Sequence, residues 1–290
     1  MADAEPYEII GHSKNREDWL SKRRIGGSDA ATIGDTNPWS SKMHLYATLI
    51  GTEETASAGE AAEWGLRLEP IVAGHFGHVT GRQVKMAGEL LLSTQYPWAT
   101  CTLDATQVNL EGDEGLLEVK CTSLYERWED GVPPYVFAQV QHQFAVSGYS
   151  WGSVAVLFRG QSFHWLDIYR NDEFITELMA AESTFWDRVQ KLAPPEPDDS
   201  ESCRKALARL YPKDDGGSIS LSGEFTAMDE ERSQIAATMT DLEKQKRLID
   251  NRIKMAIGDH SEAVIPSGTV YTYKANKRGV RSLKRKEIKL

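Results

Sequence analysis

Hydrophobic and polar positions follow two different periods along most of the chain. Apolar residues recur every three or four positions over 61–79, 134–146 and 174–192, which predicts three amphipathic helices. Shorter runs rich in β-branched and aromatic residues predict four strands, at 98–108, 116–122, 153–158 and 162–169. The resulting order of helix, two strands, helix, two strands and helix predicts an α/β or α+β domain, with helices packed on a central mixed sheet.

The periodic pattern stops at 194–202, where proline, aspartate and serine predominate. Clustered prolines disfavour a continuous helix and short polar residues favour turns, so we interpret this stretch as a linker. The chain is therefore predicted to consist of a core over 1–193, a linker over 194–202 and a C-terminal region over 203–290.

A different pattern marks the C-terminal region. Over 235–256 the apolar positions lie alternately four and three residues apart, as in a heptad repeat, with Lys246 in the seam. Such a helix could pack on its own domain or form a coiled coil with another subunit, and the sequence leaves both open. Gly258 predicts the end of the helix, and 270–274 and 280–285 predict the strands of a β-hairpin. The predicted appendage is thus a helix followed by a hairpin.

Composition narrows the class of protein. The 290 residues are 40% hydrophobic and 26% charged, which is typical of a soluble globular chain and excludes a wholly disordered one. No apolar run approaches the roughly 20 residues that a membrane helix needs, and the N-terminus lacks a signal-peptide pattern. A cytoplasmic protein without a membrane partner is therefore expected. Three widely spaced cysteines exclude a disulfide framework and a CxxC metal pair.

The net charge of −10, averaged over the chain, argues against a nucleic-acid partner. The charge is uneven, however. Residues 270–290 contain eight lysines and arginines against one glutamate, and 22–24 is a second basic cluster. The basic hairpin is either a solvated surface or a DNA contact. Because positive charge is concentrated in two patches, nucleic acid is not excluded as a partner.

Candidate chemistry lies in the segment 115–121. Strand alternation places Glu118 and Lys120 on one face and the apolar residues next to them on the other. Asp104 lies on the preceding predicted strand, within a plausible hairpin. Two carboxylates, the Val119 carbonyl and water are ligands that Mg²⁺ prefers, and Mn²⁺ is expected to substitute for it. By itself, a Glu-x-Lys pair is also a common surface charge pair.

Two further polar residues favour a functional interpretation. Glu69 lies at the edge of the apolar face of its helix, three residues before Val72, so its side chain is expected to point toward the protein. Gln139 is one of three glutamines in an otherwise apolar helix, which is more polar than a packing face requires. Both residues suit a polar cleft. The pair His75 and His78 lacks the third ligand that a zinc site needs.

Five short motifs carry a resemblance to a known family. In chain order they are 24–31 (RIGGSDAA), 64–70 (WGLRLEP), Asp104, 118–120 (EVK) and 138–141 (AQVQ). Their combination and order resemble the lambda exonuclease and YqaJ-type viral recombinase family of the PD-(D/E)xK nuclease superfamily, over residues 19–192. The resemblance implies a restriction-endonuclease-like core, with a central mixed sheet flanked by helices and a metal site at one edge. The chain departs from the family at Leu103 and Ala105, which flank the aspartate where Pro-Asp-Gly is common.

The resemblance also implies roles for individual residues. The implied metal ligands share oxygen donors on neighbouring elements: Asp104, Glu118, the Val119 carbonyl and Glu69. Lys120 is expected to orient and activate the attacking water, and Gln139 is expected to support the site from the adjacent helix. All five side chains would then act in catalysis around one metal centre.

The family also has a pocket for a DNA 5′-phosphate, built from an arginine and hydroxyl residues. By resemblance the counterparts here are Arg24, Ser28 and Thr102. Arg23 is an alternative to Arg24, because the alignment before the glycine pair is ambiguous. A guanidinium can bind phosphate through two parallel hydrogen bonds, so either arginine suits the chemistry.

The implied activity is that of a Mg²⁺-dependent deoxyribonuclease that digests linear double-stranded DNA processively from the 5′ end, leaving 3′ overhangs for recombination. The family further implies a trimeric ring around DNA and a single-strand-annealing protein as partner. Two alternatives stay open: an endonuclease or nicking enzyme with the same site, and a non-catalytic DNA-binding assembly protein. The three cysteines are too few for the four-cysteine iron–sulfur cluster of related nucleases.

Overall fold

The computed structural model describes residues 5–52 and 59–286, so the end of the basic tail at 287–290 lies outside the described residues. The chain divides into two units, Met1–Asp214 and Asp215–Leu290. Within the described ranges, no helix combines the length and the apolar character needed to cross a membrane.

Short helices and strands build the first unit. Its helices are α1 (Arg16–Lys22), α2 (Gly27–Ile33), α3 (Lys42–Leu49), α4 (Glu60–Thr80), α5 (Pro134–Ser147), α6 (Asp172–Gln190) and α7 (Glu201–Leu210). Its strands are β1 (Tyr7–His12), β2 (Gln83–Met86), β3 (Glu89–Ser93), β4 (Thr100–Thr102), β5 (Ala105–Val108), β6 (Glu114–Thr122), β7 (Trp151–Phe158) and β8 (Ser162–Tyr169). The first three of these strands had no clear alternation in the sequence and were not predicted.

A five-stranded mixed sheet lies at the centre of this unit. Its order is β2-β5-β6-β7-β8, with β6 and β7 parallel and the other neighbours antiparallel. Apolar residues of α5, such as Val140 and Phe144, pack on one face together with Leu116, and apolar residues of α4 pack on the other with Leu117 and Val119. The predicted fold, helices flanking a central mixed sheet, is confirmed.

The predicted strand at 98–108 is two strands in different sheets. β4 pairs with β3 in a small antiparallel sheet of order β1-β3-β4, whereas β5 enters the five-stranded sheet. The chain changes sheets at Leu103 and Asp104. There the Asp104 carboxylate accepts the Val119 N–H at 2.8 Å, the donor that a longer β5–β6 ladder would have used. The sheet change therefore places an acid beside the centre of β6.

The division between the units lies further along the chain than the predicted linker at 194–202. Cys203 and Ala206 of α7 are fully buried against apolar side chains of α2, α3 and α6. In addition, the Ser202 hydroxyl accepts a hydrogen bond from the Ser41 N–H at 3.1 Å. Helix α7, which lies within the predicted C-terminal region 203–290, thus packs into the core of the first unit.

The second unit contains a long helix and a small sheet. α8 (Glu224–Ile257) is followed by β9 (Glu262–Val264), β10 (Val270–Ala275) and β11 (Arg281–Lys286), which form an antiparallel sheet of order β11-β10-β9. Gly258 ends the helix at a positive φ of 56°, as its position in the sequence predicted. Arg281 lies over the Tyr273 ring at 4.0 Å and donates to the carbonyls of Gly258 and His260, so this basic residue is structural.

Candidate active site

One strand and one helix hold the central residues of the candidate site. Glu118 and Lys120 are two residues apart on β6, so their side chains lie on the same face of the strand, and this face is turned toward α5. The opposite face of β6 packs under α4, so both faces of the strand are covered and Glu118 is only 2% exposed. A carboxylate this deeply buried requires hydrogen-bond or charge partners, because desolvation of an unpaired charge is costly.

Glu118 has three hydrogen-bond donors. Lys120 Nζ lies 2.5 Å from Oε1, and Gln139 Nε2 lies 2.6 Å from the same oxygen. Gln143 Nε2 lies 2.7 Å from Oε2. Gln139 Oε1 also accepts from Lys120 Nζ at 2.9 Å, so one amide bridges the acid and the lysine. The two glutamines are one helical turn apart, and α5 therefore presents both to β6.

The surroundings of Lys120 fix its charge. Burial by itself lowers the pKa of the amine, but the Glu118 and Asp104 carboxylates outweigh burial and raise the pKa above its ordinary value. Lys120 is therefore an ammonium at neutral pH. In this state it donates hydrogen bonds and supplies positive charge, and it has no lone pair with which to take a proton.

Three carboxylates crowd one another beside this lysine. Burial raises the pKa of Asp104 well above its ordinary value, and the charges of Glu118 and Glu69 raise it further. The pKa of Glu69 is likewise raised by burial and then by Glu118. Carboxylates that lie close together with little water repel one another, and a bound cation relieves this repulsion. The arrangement of these three carboxylates therefore favours cation binding.

The side chains of the site are not gathered around a single point. Among the described residues, no group of three or more His, Cys, Asp and Glu side chains stands in position to hold a metal ion. Glu118 instead points both oxygens at α5 and Lys120. The predicted set of Glu69, Asp104 and Glu118 is thus adjacent but is not preassembled. Its hard oxygen donors and mutual repulsion nevertheless fit Mg²⁺ or Mn²⁺.

A small cavity of about 100 Å³ lies beside Gln139 and Gln143, the two glutamines that bind Glu118. Its lining includes Arg23, Ser28 and Thr102, but Arg24 is absent from the lining. The structure thus places the predicted alternative Arg23, and not Arg24, on the wall of this cavity with Ser28 and Thr102. The physical reason is the extended backbone at 23–25, which sends consecutive side chains to opposite sides, so that the Arg24 guanidinium donates to the Pro97 carbonyl instead.

Three contacts fix the cationic wall of this cavity. The Arg23 guanidinium forms an ion pair with Asp29 at 2.7 Å and lies 5.3 Å from the centre of the Trp19 ring. Trp19 Nε1 donates to the Thr102 hydroxyl at 2.9 Å. The arginine is thus held in place before any ligand binds, and its planar group has further N–H donors for a phosphate.

The cavity and the carboxylate site share one wall. Gln139 and Gln143, which bind Glu118, also line the cavity. The approach of α2 to α5 depends on Gly27, because a Cβ at this position would lie 3.2 Å from the Gln139 Cγ and 3.3 Å from its carbonyl oxygen. A phosphate in the cavity would therefore lie next to the glutamines that contact Glu118 and Lys120.

Comparison with known proteins identifies the family. The sequence profile of the YqaJ-like viral recombinase domain matches residues 18–150. The uncharacterized protein YqaJ of Bacillus subtilis (strain 168) is 33% identical over 258 residues, which cover 84% of this chain and 79% of YqaJ. The chain belongs to the YqaJ-like viral recombinase domain family. The resemblance read from the sequence is thereby confirmed.

Solved structures support the fold of this YqaJ-like protein. The crystal structure of an alkaline exonuclease (LHK-Exo) from Laribacter hongkongensis superposes with a TM-score of 0.52 at 22% identity, covering 67% of this chain and 99% of the exonuclease. LHK-Exo in complex with dAMP matches with the same TM-score and coverage at 23% identity. The restriction-endonuclease-like core expected from the sequence is therefore confirmed.

The YqaJ-like site also contains residues that the sequence did not single out. Tyr135 lies on α5 one turn before Gln139, and the ring of Trp39 meets it edge-on at 5.0 Å. Arg127 lies 5.1 Å above the Trp39 ring, and Trp39 is 54% exposed. The four-residue spacing from Gln139 could have indicated Tyr135. No local pattern could have joined Trp39 to it, because the contact is made by the fold.

Proposed function

We propose that this protein is a Mg²⁺-dependent deoxyribonuclease that digests linear double-stranded DNA from its 5′ end, with Mn²⁺ able to replace Mg²⁺. One observation carries the proposal: the glutamines that bind Glu118 also line the cavity that contains Arg23. A carboxylate–lysine pair beside a cationic cavity of phosphate size suits hydrolysis of a phosphodiester next to a terminal phosphate.

Asp104 and Glu118 would hold the metal, with Glu69 and the Val119 carbonyl as further ligands. When bound, the metal supplies Lewis-acid stabilisation of the charge that develops on the phosphate and the leaving 3′-oxygen. The carboxylates repel one another without a cation, which supports their assignment as its ligands.

Lys120 orients the attacking water in this proposal. Its amine stays protonated between Glu118 and Asp104, so it directs the oxygen of water by donating a hydrogen bond. Gln139 acts as a positioning residue, because its carbonyl oxygen accepts one ammonium hydrogen and its amide anchors Glu118. This bridge holds the acid and the ammonium next to each other beside the substrate.

In this proposal the cavity determines the direction in which the DNA strand is digested. Arg23, Ser28 and Thr102 bind a 5′-phosphate, and the next phosphodiester along the strand then lies beside the carboxylates. The related LHK-Exo was crystallised with dAMP, a mononucleotide of the kind that exonucleases release from either end, so the proposed direction rests on the cavity. We accordingly propose 5′-to-3′ polarity, with 3′ overhangs that serve homologous recombination.

The proposed assembly is a trimeric ring that encircles DNA and digests it processively in the cytoplasm, with a single-strand-annealing protein as partner. Support for this assembly comes from membership of a viral recombinase family. The annealing partner would receive the 3′ overhang as it is exposed.

End-labelled duplexes test activity and polarity together. With Mg²⁺, the 5′-phosphorylated strand of a linear duplex should be released as mononucleotides while its complement is left as a 3′ overhang, and EDTA should stop the reaction. Covalently closed circles should stay intact, because they offer no end. Cleavage of circles would instead support the endonuclease or nicking alternative. DNA binding in EDTA without nucleotide release after Mg²⁺ is restored would support the non-catalytic alternative.

Two neighbouring arginines provide a matched pair of variants for the phosphate cavity. Arg23→Gln should lower kcat/KM on 5′-phosphorylated duplex by about 10–100-fold, the cost of losing charge-assisted hydrogen bonds, and should remove the preference over 5′-hydroxyl ends. Arg24→Gln should keep that preference, since Arg24 lies outside the cavity. Loss of the preference in Arg24→Gln alone would refute the assignment of Arg23.

A further inference from the structure

The long helix α8 has no covering layer in its own unit. All 34 residues of α8 are described, and Ile257 is the only one of them that is buried. The helix nevertheless carries many large apolar side chains. Met239 is 58% exposed and Leu242 is 57% exposed, in the middle of the helix. An amphipathic helix is stabilised mainly by packing of its apolar stripe, so α8 is a helix that requires a partner.

The heptad pattern of α8 extends beyond the residues 235–256 over which the sequence analysis described it. Its members are spaced alternately three and four residues apart along the whole helix: Phe225, Met228, Arg232, Ile235, Met239, Leu242, Lys246, Ile249, Ile253 and Ala256. This spacing is that of a coiled-coil seam, which is covered by another helix. The partner of α8 is therefore a helix with a matching seam.

The distribution of charged residues along α8 favours one orientation of that partner helix. The first eight residues, 224–231, contain four acids and no base, whereas 244–257 contain five bases and one acid. Two parallel copies would place acid against acid and base against base. They would also place Lys246 against Lys246 in the seam. Two antiparallel copies place the acidic end of each helix beside the basic end of the other.

The seam itself fits an antiparallel pair. When two copies overlap over their full length, residues equidistant from the point between Thr240 and Asp241 face each other. The facing pairs are then Met239 with Leu242, Ile235 with Lys246, Arg232 with Ile249, Met228 with Ile253, and Phe225 with Ala256. Every seam position thus meets another seam position, and no seam cation meets a second cation.

We propose that α8 is a self-association element, and that two copies of this chain pair through it in antiparallel orientation. The interface is separate from the nuclease site, and it does not depend on the proposed activity. Because α8 has 34 residues and a helix rises about 1.5 Å per residue, pairing places the two basic sheets about 50 Å apart, at opposite ends. In a trimeric ring, each subunit would then pair with a subunit of a second ring.

Two leucines of similar exposure test the seam. Leu242 lies in the seam, whereas Leu248 is 54% exposed and lies outside it. Light scattering of the full-length protein should give an even number of copies, and Leu242→Asp should halve that number while Leu248→Asp leaves it unchanged. A monomer, an odd number of copies, or equal effects of the two substitutions would overturn the proposal.

Cysteine crosslinking tests the orientation. In the full-length chain, Met228→Cys and Ile253→Cys are prepared separately and oxidised alone and as a mixture, with the parent protein as control for Cys121. An antiparallel pair joins a chain that carries the first substitution to a chain that carries the second, so a dimer should form several-fold more in the mixture than in either sample alone. Dimers in the separate samples without a gain on mixing would show a parallel pair and overturn the antiparallel arrangement.

Discussion

The two units of this protein differ in whether their charged and apolar residues are buried or exposed. The first unit, up to Asp214, buries Glu118, His142 and Glu182 inside its core and gives each of them close polar partners. The C-terminal unit leaves both its charges and its heptad seam on the outside of α8. The first unit therefore places these charges inside its own packing, whereas the second has an apolar surface that is suited to another chain.

This difference has energetic consequences. Partly and deeply buried charges in the first unit interact through a medium of low dielectric, so single substitutions there should change stability or activity strongly. Charges along α8 are surrounded by water and screened by salt, so single substitutions there should change the stability of the chain only slightly. Four substitutions, taken in order of decreasing effect, test this contrast.

Asp104→Asn should have the largest effect, and with opposite signs for activity and stability. Activity should fall by about 10²–10⁴-fold, because a proposed metal ligand loses its charge. In EDTA, however, stability at neutral pH should rise by about 1 kcal/mol, since the raised pKa of Asp104 means that its ionised form is disfavoured in the folded state. Asparagine can still accept the Val119 N–H.

Thermal unfolding with and without Mg²⁺ measures both effects of this substitution. The parent protein should gain stability on addition of metal, and the variant should gain much less. Equal Mg²⁺-dependent stabilisation of the two proteins would contradict the assignment of Asp104 as a ligand.

Glu182→Ala should give the next largest effect, on stability. Glu182 Oε1 lies 2.8 Å from His142 Nδ1, and both side chains are fully buried. His142 Nε2 donates to the Thr100 carbonyl at 3.0 Å, and although burial lowers the pKa of the imidazole, Glu182 outweighs burial and raises it. Removing one partner of a buried pair should cost about 3 kcal/mol in urea unfolding. Glu177→Ala, at an exposed position of the same helix, is the control and should cost little.

The contrast between the units also explains how far the sequence could be interpreted. Helical and strand periodicity predicted α4, α5 and α6 and the sheet between them, because each buries a continuous apolar face in one layer. The strands β1 to β3 are short, and their pattern is set by neighbours that are distant in the chain. The packing of α7 was not predicted for the same reason: the helix follows a proline-rich stretch, yet Cys203 and Ala206 pack into the core.

Within the site, local sequence patterns predicted Glu118, Lys120 and Gln139, because strand alternation and helical spacing bring these residues together. They could not choose between Arg23 and Arg24, since that choice depends on the extended backbone beside β4. Nor could they show that Glu118 would point both oxygens at donors rather than stand open for a metal.

Asp167→Asn should have a moderate effect on stability that depends on pH. Asp167 forms two hydrogen bonds with Arg82, at 2.7 and 2.8 Å, and these bonds hold its pKa below the ordinary value. A lowered pKa contributes stability that is present above the ordinary value of about 4 and is lost as the pH falls through the lowered pKa. Because the pair is partly exposed, we expect the variant to lose about 1 kcal/mol at neutral pH. The difference between variant and parent should shrink on acidification below about pH 4, and a constant difference would contradict the assigned cause.

Lys244→Ala should have the smallest effect and completes the contrast. Lys244 Nζ lies 3.1 Å from Asp241 Oδ1 on α8, with side chains 66% and 68% exposed, and the residue lies outside the seam. Such i,i+3 pairs contribute about 0.2–0.5 kcal/mol and are screened by salt. Urea unfolding at 0.1 M salt should therefore show a change of less than about 0.5 kcal/mol, and the number of copies in solution should stay the same. A loss as large as that of Asp167→Asn would mean that charges on α8 are buried in the assembly, and that the helix is covered on more than its seam.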